Sequence, residues 1–252
     1  MTRKTPLIGL FLLSLIGFLV ATLPLGAVAL FLPLERAGLS AAGATGTLWR
    51  GRLTGNPDAP VRLLSVTGAP ASLLGLTYRA DWTATGPALR GRGTMTAAPG
   101  GALTFRDTDL TLDLSALDLN GPVPVPLSGG LYLSLERAAL SASGTCRDIT
   151  GSVRSDLLRQ SGMAPGFDAP VLSGPLRCED GVVMAPLSGT ASGVRITALW
   201  RLAPNGETDL RITVPDAPPD LADLLRRAGF RANGPAMDLT LRGHLAPAAG
   251  PS

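Results

Sequence analysis

The chain has a single lysine, Lys4, and a single histidine, His244, in 252 residues. With no lysine beyond Lys4, a phosphate-cradling loop closed by Gly-Lys-Ser/Thr is excluded. A serine or cysteine triad would have to use His244, eight residues from the end of the sequence and inside an alternating segment. Adjacent carboxylates occur only at Glu179-Asp180. Neighbouring strand residues point to opposite faces, which is wrong for an acid/base pair. One histidine and two cysteines do not supply a metal-ligand cluster. No catalytic, cofactor-binding or metal-ligating residue is therefore assigned, no cofactor is expected, and the chain is not read as an enzyme.

Charge is sparse as well, at 16% of residues. Once Arg3 and Lys4 are set aside, 20 of the 22 basic residues face 19 acids, and they are scattered singly. That excludes the clustered basic face of a nucleic-acid-binding protein.

What the sequence does have is a long apolar beginning. Thr5 to Leu34 are thirty consecutive uncharged residues rich in Leu, Ile, Phe, Val, Ala and Gly. A spanning helix needs ~20 such residues. Arg3 and Lys4 precede the run, and the balanced pair Glu35 and Arg36 follows it, so the basic flank places the N-terminus in the cytoplasm. A cleavable signal peptide competes with this anchor, because Ala27-Val28-Ala29 has the small-x-small form of a cleavage site. Against it, the apolar run from Leu7 to Gly26 is longer than a signal core and continues through Leu34. The expected division is a cytoplasmic tip and transmembrane anchor over 1–34, a periplasmic all-β domain over 35–245, and a disordered Pro/Ala/Gly tail over 246–252.

Both cysteines, Cys146 and Cys178, fall in the exported part, where an oxidising compartment favours a disulfide between them. The same 218 residues are dominated by period-two alternation. Leu76, Tyr78, Ala80, Trp82 and Ala84 alternate with polar residues, and so do Leu131, Leu133 and Leu135, and Val194 through Leu202. Turn residues separate the runs at Ala98-Pro99-Gly100-Gly101, Asn120-Gly121-Pro122, Asp180-Gly181 and Pro204-Asn205-Gly206, as in antiparallel hairpins. About ten to twelve strands are expected by this criterion. Two short helices are predicted, one within Ser155–Ser161 and one over Asp220–Ala228, the latter capped by Asp220 and closed by Gly229. The fold class is all-β, a large antiparallel sheet that is curved or sandwiched behind one membrane helix. A Leu-Ser-Gly step recurs at Leu127, Leu172 and Leu187 and reads as a glycine-dependent bulge or turn.

The segment Glu35 to Ala44 reads as a connector into Gly46-Thr47-Leu48-Trp49-Arg50-Gly51. A tryptophan between two glycines just after the membrane segment fills a core, anchors at an interface, or touches another protein. Thr47, Leu48, Trp49 and Arg50 are the candidate partner-contact residues.

Taken with the single span and the cysteine pair Cys146 and Cys178-Glu179-Asp180-Gly181, the Gly-Thr-Leu-Trp-x-Gly segment resembles protein N of the bacterial type II secretion system. The resemblance implies a non-enzymatic inner-membrane component of the machinery that exports folded proteins across the outer membrane, with other inner-membrane secretion subunits as partners. Arg50 departs from the small polar residue of the family pattern. A different class, the AsmA-like lipid-handling β-groove, is the alternative, because an alternating sheet with few helices leaves an apolar face to cover.

Overall fold

The computed structural model describes residues 11, 14–15, 17–29, 39–56, 61–113, 129–160 and 169–244. The Asn120-Gly121-Pro122 turn, the tail 246–252 and much of the apolar run lie outside the described residues. No helix among the described residues is long and apolar enough to cross a membrane. Residues 17–21 are helical, and a short helix α1 (Leu25–Ala29) follows.

Among the described residues, fifteen strands form one sheet. The first six are β1 (Leu39–Thr47), β2 (Arg50–Gly55), β3 (Leu63–Ala69), β4 (Tyr78–Thr85), β5 (Leu89–Ala97) and β6 (Leu103–Asp113). Then come β7 (Gly130–Leu140), β8 (Cys146–Ser155), helix α2 (Leu157–Gln160), β9 (Leu172–Pro175) and β10 (Arg177–Glu179). The chain finishes with β11 (Val182–Ala191), β12 (Val194–Leu202), β13 (Glu207–Val214), helix α3 (Pro219–Arg227), β14 (Arg231–Asn233) and β15 (Ala236–His244). Every pairing is antiparallel, and neighbours in sequence are almost always neighbours in the sheet. Most of the connections are short turns, which suits hairpins, since parallel pairing needs a long crossover.

The sheet buries its apolar face by curling. Leu112 of β6 and Leu131 of β7 line the same small cavity as Ile212 of β13 and Leu241 of β15, so the two flanks face each other. One core runs through this half and includes Leu135, Val153, Leu172, Leu187, Ile196 and Leu239. Helix α3 closes one end of it with Leu221, Ala222 and Leu225. Arg226 and Arg227 sit in its last turn, where the helix dipole favours cations. Its N-cap is Pro218, not Asp220, which lies in the first turn without a side-chain cap bond.

Three strand assignments differ from the sequence reading, for related reasons. The connector is shorter than Glu35–Ala44, because β1 begins at Leu39. Its Ser, Ala, Gly and Thr residues carry no alternation to read. The short strands β9, β10 and β14 fall below the length at which period two is visible, so fifteen strands stand where ten to twelve were counted. Leu76, placed by alternation on β4, instead ends a 3₁₀ helix (Pro70–Gly75) at φ 54°, ψ 28°. The Leu-Ser-Gly steps at 172 and 187 are register partners through Ser173 and Ser188. A side chain on Gly174 would strike the Pro186 carbonyl, so glycine there serves close approach of two backbones and not a bulge.

Candidate functional site

Strands β1 and β2 meet in a two-residue turn, Leu48-Trp49, flanked by the register pair Thr47 and Arg50. Gly46 has φ 84°, and a β-carbon there would collide with the Arg50 carbonyl, so the first glycine of the segment is required by the backbone. The turn throws Trp49 inward, where it is buried. Its Nε1–H donates to the Val20 carbonyl at 2.9 Å. The carbonyls of a helix's last turn lack intrahelical partners. Val20 accepts a long bond from the Leu23 N–H at 3.3 Å, and the indole of Trp49 adds a shorter one at the end of the N-terminal helical segment.

Backbone contacts repeat the attachment. The Leu48 N–H donates to the Leu23 carbonyl at 3.0 Å, and Pro24 forms an antiparallel bridge with Thr47. Leu25 is then buried against Leu53, with Ala44, Leu48, Val61 and Leu64 packed around them. The second glycine, Gly51, forms the floor under Leu25; a side chain there would overlap that leucine. Gly-Thr-Leu-Trp-x-Gly is thus a latch that joins the N-terminal segment to the sheet.

Strands β3 and β4 back the latch. Tyr78 Oη donates to the Leu48 carbonyl at 2.6 Å, and the Gly68 N–H donates to the Trp49 carbonyl at 2.9 Å. The Trp49 and Tyr78 rings lie 6.1 Å apart, and burial pushes the Tyr78 hydroxyl above its ordinary pKa. Of the four candidate contact residues, Trp49 is committed to the latch, Thr47 and Leu48 are half-buried, and Arg50 faces outward. The docking of residues 20–25 and the part played by Tyr78 were invisible in the sequence. Their partners are backbone carbonyls 29 and 30 residues away, which carry no residue-type signal.

Cys146 and Cys178 form a disulfide with Cα atoms 5.6 Å apart, pinning the start of β8 to β10. The Cys146 N–H also donates to the Gly181 carbonyl at 2.9 Å. Asp180 and Gly181 both have positive φ, so the acidic pair belongs to a tight hairpin turn.

A family model described as type II secretion system (T2SS), protein N matches residues 37–240. The chain belongs to that family. The match begins ahead of β1, takes in the disulfide and ends within β15, so it covers the curled sheet up to the second half of that last strand. Comparison with curated proteins and with solved structures gives no match.

Two further places in the sheet have distinctive chemistry. The inner cavity, lined by Leu112, Leu172, Trp200 and Leu210 among others, holds about 50 Å³. That is roughly a third of the ~150 Å³ dry cavity that accepts a benzene ring. Asp238 on β15 accepts hydrogen bonds from Asn233 of β14 at 2.9 Å, Thr213 at 2.7 Å and Arg211 of β13 at 2.6 Å. These donors hold its carboxyl at about 2, well below the ordinary carboxylate range. The arrangement ties three strands together and presents no free base.

Proposed function

We propose that this member of the protein N family is a non-enzymatic inner-membrane component of the type II secretion apparatus that assists its assembly. In this reading it is single-pass, with a cytoplasmic N-terminus and the curled sheet in the periplasm. The observation that carries it is the latch, seen within a chain of this family. Trp49, Leu48 and Thr47 hold residues 20–25 against the sheet, coupling the position of the apolar N-terminal segment to the domain. A component with that coupling transmits a fixed membrane position to whatever its sheet meets. Partner subunits are expected at the outward side of the latch, where Arg50 is exposed.

A lipid-handling groove finds less support. A cavity of about 50 Å³ takes a group or two and not an acyl chain.

Topology is the accessible test. A periplasmic reporter fused after Leu53 should be active, and the mature protein should keep its N-terminal segment and resist carbonate extraction. A mature chain beginning near Leu30 would overturn the anchored reading.

A further inference from the structure

The strand registers place one set of turns on a common rim of the sheet. From Thr47–Arg50 they run through Ala69–Arg79, Ala97–Leu103 and Leu140–Cys146 to Leu202–Thr208. Most of these turns are small or polar, as in Ala98-Pro99-Gly100-Gly101 and Ser141-Ala142-Ser143-Gly144. The 70–76 loop is different. Leu73 is 38% exposed and Leu76 is 76% exposed. Of eight exposed large hydrophobic residues among the described residues, five lie in the N-terminal helical segment, two are these leucines, and the last is Tyr132.

The loop is rigid and adjacent to that segment. Ser72 Oγ donates to the Ala69 carbonyl at 2.6 Å and accepts from the Arg79 N–H at 3.0 Å, stapling its two ends. Leu76 occupies the left-handed position that closes the 3₁₀ turn, its N–H donating to the Leu73 carbonyl at 2.9 Å. Glycine is the usual residue at such a position, and a leucine there is strained as well as wet. Immediately after the loop, Tyr78 touches the Leu48-Trp49 turn, which itself grips Val20. Arg79 and Arg50 are exposed at the loop base and at the latch.

We propose that the 70–76 loop is a second membrane contact, its leucines entering the headgroup layer of an anionic phospholipid bilayer beside the N-terminal segment. The inference rests on the membrane-anchored reading above. Exposed leucines with exposed arginines beside them match an interface that is apolar below and negatively charged at its surface. A single helix, even latched to the domain, leaves the two free to turn together about the helix axis. A second contact on the same rim sets which way the curled sheet points.

The full chain would be reconstituted in vesicles of phosphatidylethanolamine and phosphatidylglycerol. Leu76→Cys would carry an environment-sensitive fluorophore, with Ser143→Cys as the control on the same rim; the native cysteines are bridged and do not react. The Leu76 probe should shift to the blue and be quenched by lipids with brominated chains, while the Ser143 probe stays aqueous. A probe at Ala71→Cys should show the same quenching and lose it when Leu73→Ser and Leu76→Gly are added. Glycine suits the left-handed backbone, so these changes leave the fold intact, and an unchanged melting curve checks that. If the chain resists carbonate extraction but the Leu76 probe stays aqueous, the loop contact is wrong and the anchor stands. If the chain is extracted by carbonate, both fail. A blue shift without brominated-lipid quenching identifies a protein surface or a second copy as the occupant and overturns the bilayer proposal.

Discussion

The indole of Trp49 donates its hydrogen to the carbonyl of Val20, 29 residues earlier in the chain and 2.9 Å away. This bond adds a second, shorter donor to a helix-end carbonyl that also accepts from the Leu23 N–H at 3.3 Å. Trp49→Phe keeps most of the buried ring and removes the donor, so a loss of about 1 kcal/mol is expected in thermal melts of the full chain. Trp49→Ala empties the site and is expected to cost about 3–5 kcal/mol. Equal, negligible losses for both would mean that the latch does not hold.

Asp238 supplies the acid-sensitive part of the fold. Its carboxyl is held at about 2 by Asn233, Thr213 and Arg211. A carboxylate whose folded pKa is depressed contributes stability that is fully present above the unfolded value near ~3.9 and is lost as pH falls through the folded one. The Asp238 contribution is therefore present at neutral pH and disappears between about pH 4 and pH 2. Allowing for solvent screening, it amounts to about 1–2 kcal/mol. Asp238→Asn should lower stability at pH 7 by that amount and flatten the fall in denaturation midpoint across this window. A variant with the same acid profile as the parent would remove Asp238 from the account.

The disulfide closes a sequence separation of 32 residues. On the chain-entropy model, a loop of that size is worth about 3–4 kcal/mol. Cys178→Ser should lose that much in chemical denaturation yet leave the chain in the membrane fraction. The parent should migrate faster on non-reducing gels than on reducing ones, and two alkylatable thiols in it would contradict the bridge.

Trp200 lies on the inner face of β12, buried, with its Nε1–H donating to Thr208 Oγ1 at 2.7 Å. A carboxylate at this position faces an inner lining dominated by leucines with no cation to meet, so Trp200→Asp should unfold the sheet. Retention of a normal melting transition would show the face to be open.

The all-β class, the hairpins and the cysteine pairing were legible because alternation, turn residues and a lone pair of cysteines each leave a residue-type signature. Val194 through Leu202 form β12 with Ile196, Ala198 and Trp200 inward, as alternation predicts. Where the signature failed, the side chains were small or the geometry lay in the backbone. After Leu39, strand β1 is only Ser, Ala, Gly and Thr, and Leu76 keeps the period of β4 while its φ of 54° takes it out of the strand. For the site, the Gly-Thr-Leu-Trp-x-Gly segment was legible as distinctive. Its function as a latch was not, because Trp49 and Leu48 bond to carbonyls, which every residue possesses.

The central claim is that the outward side of the latch meets other secretion subunits in the inner membrane. A photo-crosslinking amino acid at Arg50, introduced into the full-length protein in cells with an active type II apparatus, tests it most directly. The account predicts covalent products with inner-membrane secretion subunits, and none from the same probe at Ser188 on β11. Products with phospholipid alone, together with stoichiometric lipid in the purified protein, would contradict it.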